Sequence, residues 1–156
     1  MSRAKLTLSL QIGVRASGLP APSTLRRWAC ATLERDADVT LRFVGEAEGR
    51  RLNAYRGKDY ATNVLTFVYD GSSHDAPRDA AGVSPVAGDI VICVPVVRRE
   101  AKAAGRPLRA HFAHLVVHGM LHLQGYDHQR QRDAARMERR ETELLRRFRY
   151  RDPYTV

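Results

Sequence analysis

The chain has 156 residues, 44% of them hydrophobic, which is enough for one buried core at single-domain size. Its 26 Lys and Arg against 17 Asp and Glu leave a formal net charge of +9, and a polyanionic partner is therefore favoured. No run approaches the roughly 18 apolar residues of a membrane span, and no apolar leader with a cleavage site is visible, so a cytoplasmic protein is expected.

Residues 5–14 alternate Leu6, Leu8, Leu10 and Ile12 with polar residues, the period of a half-buried strand. After Gly18, Pro20 and Pro22, Ser23 is placed to cap a helix over 24–35 that buries Leu25, Trp28, Ala29 and Leu33. A second strand is predicted over 39–44, a short helix over 45–55, and a β-branched and aromatic strand over 64–69. Residues 70–85, rich in Gly, Ser, Asp, Ala and Pro, read as a surface loop.

Residues 88–94 form a continuous apolar run, which suits a central strand covered on both faces. Pro95 can open a helix to Ala104, and Gly105, Arg106 and Pro107 separate it from a helical segment over 108–124 that Gly125 ends. In the last segment, 133–148, Ala134, Met137, Leu144, Leu145 and Phe148 among many charges make an amphipathic helix. The two cysteines, Cys30 and Cys93, read as core thiols rather than a disulfide. The expected fold is α+β: a single domain over 1–156 with one mixed sheet of about four strands packed with about five helices.

His111, His114, His118 and His122 all fall in the segment 108–124, within an arc of roughly 80° on one helix. Phe112, Val116 and Leu123 form the stripe that packs into the core. His118 and His122, four residues apart, can reach one metal ion from a rigid frame. Gly125 can take the left-handed conformation that turns the chain back and brings His128 to the same face. Three imidazoles with an open fourth position describe a catalytic zinc-like site at the end of a central helix, although nickel or iron would suit the same donors. His111 lies about 10 Å along the axis from His118 and is assigned to the surface. His114 can contact substrate, stand behind the ligands, or simply pack. In zinc peptidases a glutamate follows the first histidine as general base; here that position is Gly119, which weighs against peptide hydrolysis.

The run His118-Gly-Met-Leu-His-Leu-Gln-Gly-Tyr-Asp-His128 resembles the signature of the YbeY family of metal-dependent endoribonucleases. The run 52–59 (L-N-A-Y-R-G-K-D), followed by 62–67 (T-N-V-L-T-F), resembles its second block, and 87–92 (A-G-D-I-V-I) its third, so the likeness extends across 52–145. Where the family usually has proline after the second block, this chain has Val68-Tyr69. The resemblance implies zinc on His118, His122 and His128 and a functional role for Arg56; beside it Lys58 is placed to assist as a point charge on the RNA backbone, and His114, from its place on the helix, is a further candidate to contact substrate. It also implies a single-strand-directed endoribonuclease that matures the 16S ribosomal RNA 3′ end and serves ribosome quality control. Ribosomal RNA and the small ribosomal subunit would be its partners, with no membrane and no dinucleotide cofactor. The Arg-rich tail over 146–151, with Phe148 and Tyr150, can extend an RNA surface. The other readings are a non-catalytic RNA-binding assembly factor whose structural metal is closed by a fourth ligand such as Asp127, and a metallopeptidase.

Overall fold

The computed structural model describes residues 3–69, 85–127 and 129–154; the loop expected over 70–85 lies outside the described residues except for Pro85 at its end. Alternation in the first segment yields β1 (Leu6–Ile12), which runs parallel to β2 (Ala37–Val44), itself parallel to β4 (Val86–Cys93). Strand β3 (Val64–Val68) pairs antiparallel with β4 at the sheet edge, giving the order β1-β2-β4-β3. The apolar run predicted for the sheet centre is thus an interior strand.

Helices α1 (Pro22–Ala31), α4 (Leu108–Leu123) and α5 (Gln131–Arg147) supply the larger core, while α2 (Glu46–Asn53) and α3 (Val94–Ala104) flank a smaller one. The larger core joins Val39, Leu41 and Phe43 of β2 with Ile90 and Ile92 of β4 and with Trp28, Phe112, Val116 and Leu144 of the helices. Phe43 and Phe112 meet edge to face at 5.8 Å. Val91 and Cys93 point the other way, as strand alternation requires, and meet Leu65, Val44 and Val96. The mixed sheet with its five α-helices among the described residues is the single-domain α+β arrangement expected from the sequence.

Three local expectations need correction. Helix α1 starts at Pro22, with Ala21 as N-cap and no side-chain cap, because proline in the first turn needs no donor there; Ser23 is therefore inside the helix. Cys30 is exposed, since one step of about 100° beyond buried Ala29 rotates it to solvent, whereas Cys93 is buried. His111 is buried at 9% exposure because Glu100 of α3 covers it: His111 Nε2 lies 2.9 Å from Glu100 Oε1.

Gly119 marks where α4 crosses the sheet. A Cβ there would stand 3.0 Å from Ile90 Cγ2, tighter than ordinary contact, so any larger residue would have to push Ile90 or the helix aside. A glutamate at 119 would point into the core, a steric reason for the missing peptidase base.

Candidate metal centre

Packing of α4 over the outer part of the sheet leaves a cavity of about 370 Å³ beside edge strand β3. His118 and His122 line it from α4, Thr66 from β3, and Arg56 and Lys58 from the segment that follows α2. The spacing of four thus delivers both imidazoles to the same cavity that two cations line. His114 faces elsewhere, and His128 lies outside the described residues. Its neighbour Gln129 lines the same cavity.

The cationic wall is held in place by its own turn. Buried Asn53 donates from Nδ2 to the Tyr60 carbonyl at 2.7 Å and accepts from the Lys58 amide at 3.3 Å, tying both ends of the segment together. Between them a single 3₁₀ turn (Ala54–Arg56) ends at Gly57, whose φ of +76° suits glycine. Arg50 pairs with Asp59 at 2.6 Å across the turn. Arg56 donates to the Thr66 carbonyl, and its guanidinium carbon sits 5.5 Å over the Phe67 ring. Its position is therefore set by the edge strand as well as by its own turn.

Behind His118 lies an acid that the sequence reading missed. Glu141 of α5 is fully buried, and its Oε1 is 2.5 Å from His118 Nδ1, while Oε2 is 3.2 Å from His114 Nε2. The Tyr154 hydroxyl donates to the same carboxylate. Burial alone would raise the pKa of Glu141, but the bonds from His114 and His118, the charge of His118 and the bond from Tyr154 outweigh it and hold the carboxyl at about 2. An ionised carboxylate only accepts, so His118 donates to it from Nδ1, and in the neutral ring Nε2 is then the nitrogen able to bind an ion. His114, His118 and Glu141 bring ligand-type atoms within 4.8 Å of one another and can hold a metal ion. The donor set across the cavity, His118 with His122, shares His118 with this cluster. A carboxylate that fixes the tautomer of a histidine is the usual arrangement behind a metal ligand. The signal for Glu141 was present: with Met137, Leu144 and Leu145 buried, position 141 falls in the same apolar stripe of α5.

The end of α4 is locked to the loop after α1. Gln124 is buried; its Oε1 accepts from the Glu34 amide at 2.7 Å and its Nε2 donates to the Thr32 carbonyl at 3.1 Å. Gly125 takes φ +104°, and the Tyr126 amide donates back to the Leu121 carbonyl at 3.0 Å, so the chain reverses where the sequence required. Arg136 lies 4.7 Å over the Tyr126 ring. In the tail, Phe148 and Tyr150 turn toward the body: Tyr150 meets Trp28 at 6.2 Å, and Arg27 covers Phe148. These rings are engaged within the fold.

Comparison with known proteins places these residues in a defined group. Residues 23–149 match the family described as Endoribonuclease YbeY. The Endoribonuclease YbeY of Aromatoleum aromaticum is 55% identical over 155 residues, spanning 98% of this chain and 94% of that protein. A relative of the same name from an Azoarcus species is 56% identical over 153 residues, covering 96% of this chain and 60% of that longer protein. The solution structure of a Thermotoga maritima protein superposes with a TM-score of 0.52 at 25% identity, over 94% of this chain and 99% of that one.

Proposed function

The chain belongs to the YbeY family of endoribonucleases, and from that premise we propose that it cleaves single-stranded ribosomal RNA with the help of a metal ion held at the end of α4. One observation carries the reading: two histidines suited to a metal ion and an arginine held by the edge strand line a single cavity. The donor chemistry fits zinc, with nickel or iron as acceptable substitutes. His118 and His122 are two of its ligands, and His128 is the third, on the strength of the glycine turn and of Gln129 lining the cavity. When bound, such an ion polarises a phosphoryl oxygen and makes water acidic enough to be a nucleophile near neutral pH.

The protein's own groups do the rest. Arg56 holds a planar pair of donors toward the phosphodiester and stabilises the negative charge that builds on its oxygens. Lys58 contributes a point charge for the RNA backbone. His114 serves from behind, sharing Glu141 with His118, rather than touching substrate. The net charge of +9 suits a polyanion, and no helix among the described residues is long and apolar enough to cross a membrane. We therefore assign the chain, as one metallo-hydrolase domain over 1–156, to the cytoplasm and the small ribosomal subunit, where it trims the 16S 3′ end and acts in ribosome quality control.

Two variants test this together. His118→Ala is expected to lose stoichiometric zinc and to lose cleavage of a ribosomal RNA precursor by more than the roughly 10–100-fold typical of residues behind a ligand. Arg56→Ala is expected to keep its zinc yet lose roughly 100-fold or more in rate. Normal cleavage by metal-free protein would sink the proposal, and zinc-loaded protein that binds RNA without cutting it would return the chain to the assembly factors.

A further inference from the structure

A second cavity, of about 430 Å³, lies on the opposite face of edge strand β3. Strand alternation largely separates the two: Val64 and Thr66 line the first, which Leu65 also borders, and Phe67 and Tyr69 line the second. Leu52, Tyr55 and Tyr69 complete its apolar walls, and Arg42 and Glu48 its polar one. The polar groups are already matched. Arg42 and Glu48 pair at 2.7 Å, and the Tyr69 hydroxyl donates to Asp89. Such a cavity has little to offer a phosphate, but its rings present open faces: Tyr55 is 83% exposed and Tyr69 53%. Exposed tyrosines at that level contribute little to the core and are suited to stacking.

Arg56 joins the two cavities. It lines the first, and its guanidinium lies over Phe67, a wall of the second. A nucleic-acid strand whose phosphate meets Arg56 can therefore carry an adjoining base over the edge of β3 and onto the tyrosines. We propose that the second cavity is a nucleobase subsite, in which a base next to the cleaved linkage of single-stranded RNA stacks on Tyr55 and Tyr69. The inference rests on the endoribonuclease reading for its substrate. It also supplies a reason for single-strand preference, because a stacked duplex resists the sharp turn over a sheet edge that an unpaired strand makes easily. Stacking on exposed rings tolerates any base, so the subsite adds affinity without dictating sequence.

The test uses zinc-loaded, full-length protein and a single-stranded oligoribonucleotide carrying 2-aminopurine, followed by both cleavage and fluorescence. Tyr55→Ala and Tyr69→Ala are each expected to raise KM about tenfold with little change in kcat and to relieve quenching of the probe. Tyr55→Phe keeps the ring and should behave as the parent protein, while zinc content stays the same in all variants. Unchanged KM and quenching in both alanine variants would overturn the subsite, as would a loss in Tyr55→Phe equal to that in Tyr55→Ala. If the parent protein quenches the probe through these tyrosines but does not cut, the subsite stands and the endoribonuclease reading fails.

Discussion

The four histidines of α4 share one stripe but divide into two unlike halves. The first half is sealed by acids: His111 lies against Glu100 of α3, and His114 against Glu141 of α5 and Tyr154 near the chain end, although His114 also lines a separate cavity of about 500 Å³. The second half is open, with His118 and His122 lining the cavity that Arg56 also lines. Helical periodicity assigns all four to one face, but what each imidazole meets depends on which other element crosses that face at its height. His118 stands at the boundary, with Nδ1 toward the buried acid and its ring on the wall of the cavity. The comparison teaches that the sealed half is a support for the open one, with Glu141 as the link.

Removing that link is the largest perturbation this comparison suggests. Glu141→Ala leaves His118, His114 and Tyr154 without their common acceptor in a fully buried place. Leaving buried donors without their acceptor costs about 1–3 kcal/mol each, and the loss should appear as a lower midpoint in denaturant. Zinc affinity of the variant that still folds is expected to fall roughly 10–100-fold, because the His118 tautomer is no longer fixed. Titration with a chromophoric zinc chelator reads this directly. A variant with parental stability and zinc affinity would show that the two halves are independent.

Next in size is the response to acid. Glu141 titrates at about 2 in the fold against an ordinary 4.5, so the unfolded chain takes up its proton first as pH falls. The contribution is therefore present in full above pH 4.5 and is lost on the way down to about 2. It amounts to roughly 3 kcal/mol, at about 1.4 kcal/mol per pH unit. Thermal unfolding of the metal-free protein between pH 6 and 2.5 should follow that slope, and Glu141→Gln should flatten it. An equal slope in the Gln variant would move the acid sensitivity to another group.

The open half was readable because its logic is local. A spacing of four on one helix, a glycine at its end and a third histidine soon after are facts of the chain alone, and the Gly125 turn occurs where that reading needed it. The strands were legible too, since alternation and the doubly apolar run follow directly from which faces are covered. The sealed half was not, because its partners are distant: Glu141 is 23 residues beyond His118, and His111 meets Glu100 on a neighbouring helix. A lone histidine carries no mark of burial, whereas a glutamate inside an apolar stripe does. The mark on Glu141 went unused because acids on a charged helix look like solvated ones. Ser23 failed as a cap for a different reason, since Pro22 can begin the helix two residues earlier without any side-chain acceptor.

The smallest expected effect belongs to His111, and it separates support from mere packing. Burial pulls its pKa below the ordinary 6.5, only partly offset by the hydrogen bond to Glu100 and its charge. The fold thus prefers the neutral ring, so its contribution is complete above the unfolded value of 6.5 and declines as pH falls below it. Replacing it by phenylalanine removes that pH dependence and one hydrogen bond, at about 1 kcal/mol near neutral pH. Glu100 is partly exposed and also accepts from Asn63 at 2.9 Å, so it is not left unsatisfied by the change. If the sealed half supports the metal through Glu141 alone, His111→Phe keeps parental zinc affinity while Glu141→Ala does not. A comparable fall in zinc affinity in both would mean that the whole stripe acts as one unit, with Asn63, on the wall of the cavity, carrying the influence of His111 through Glu100.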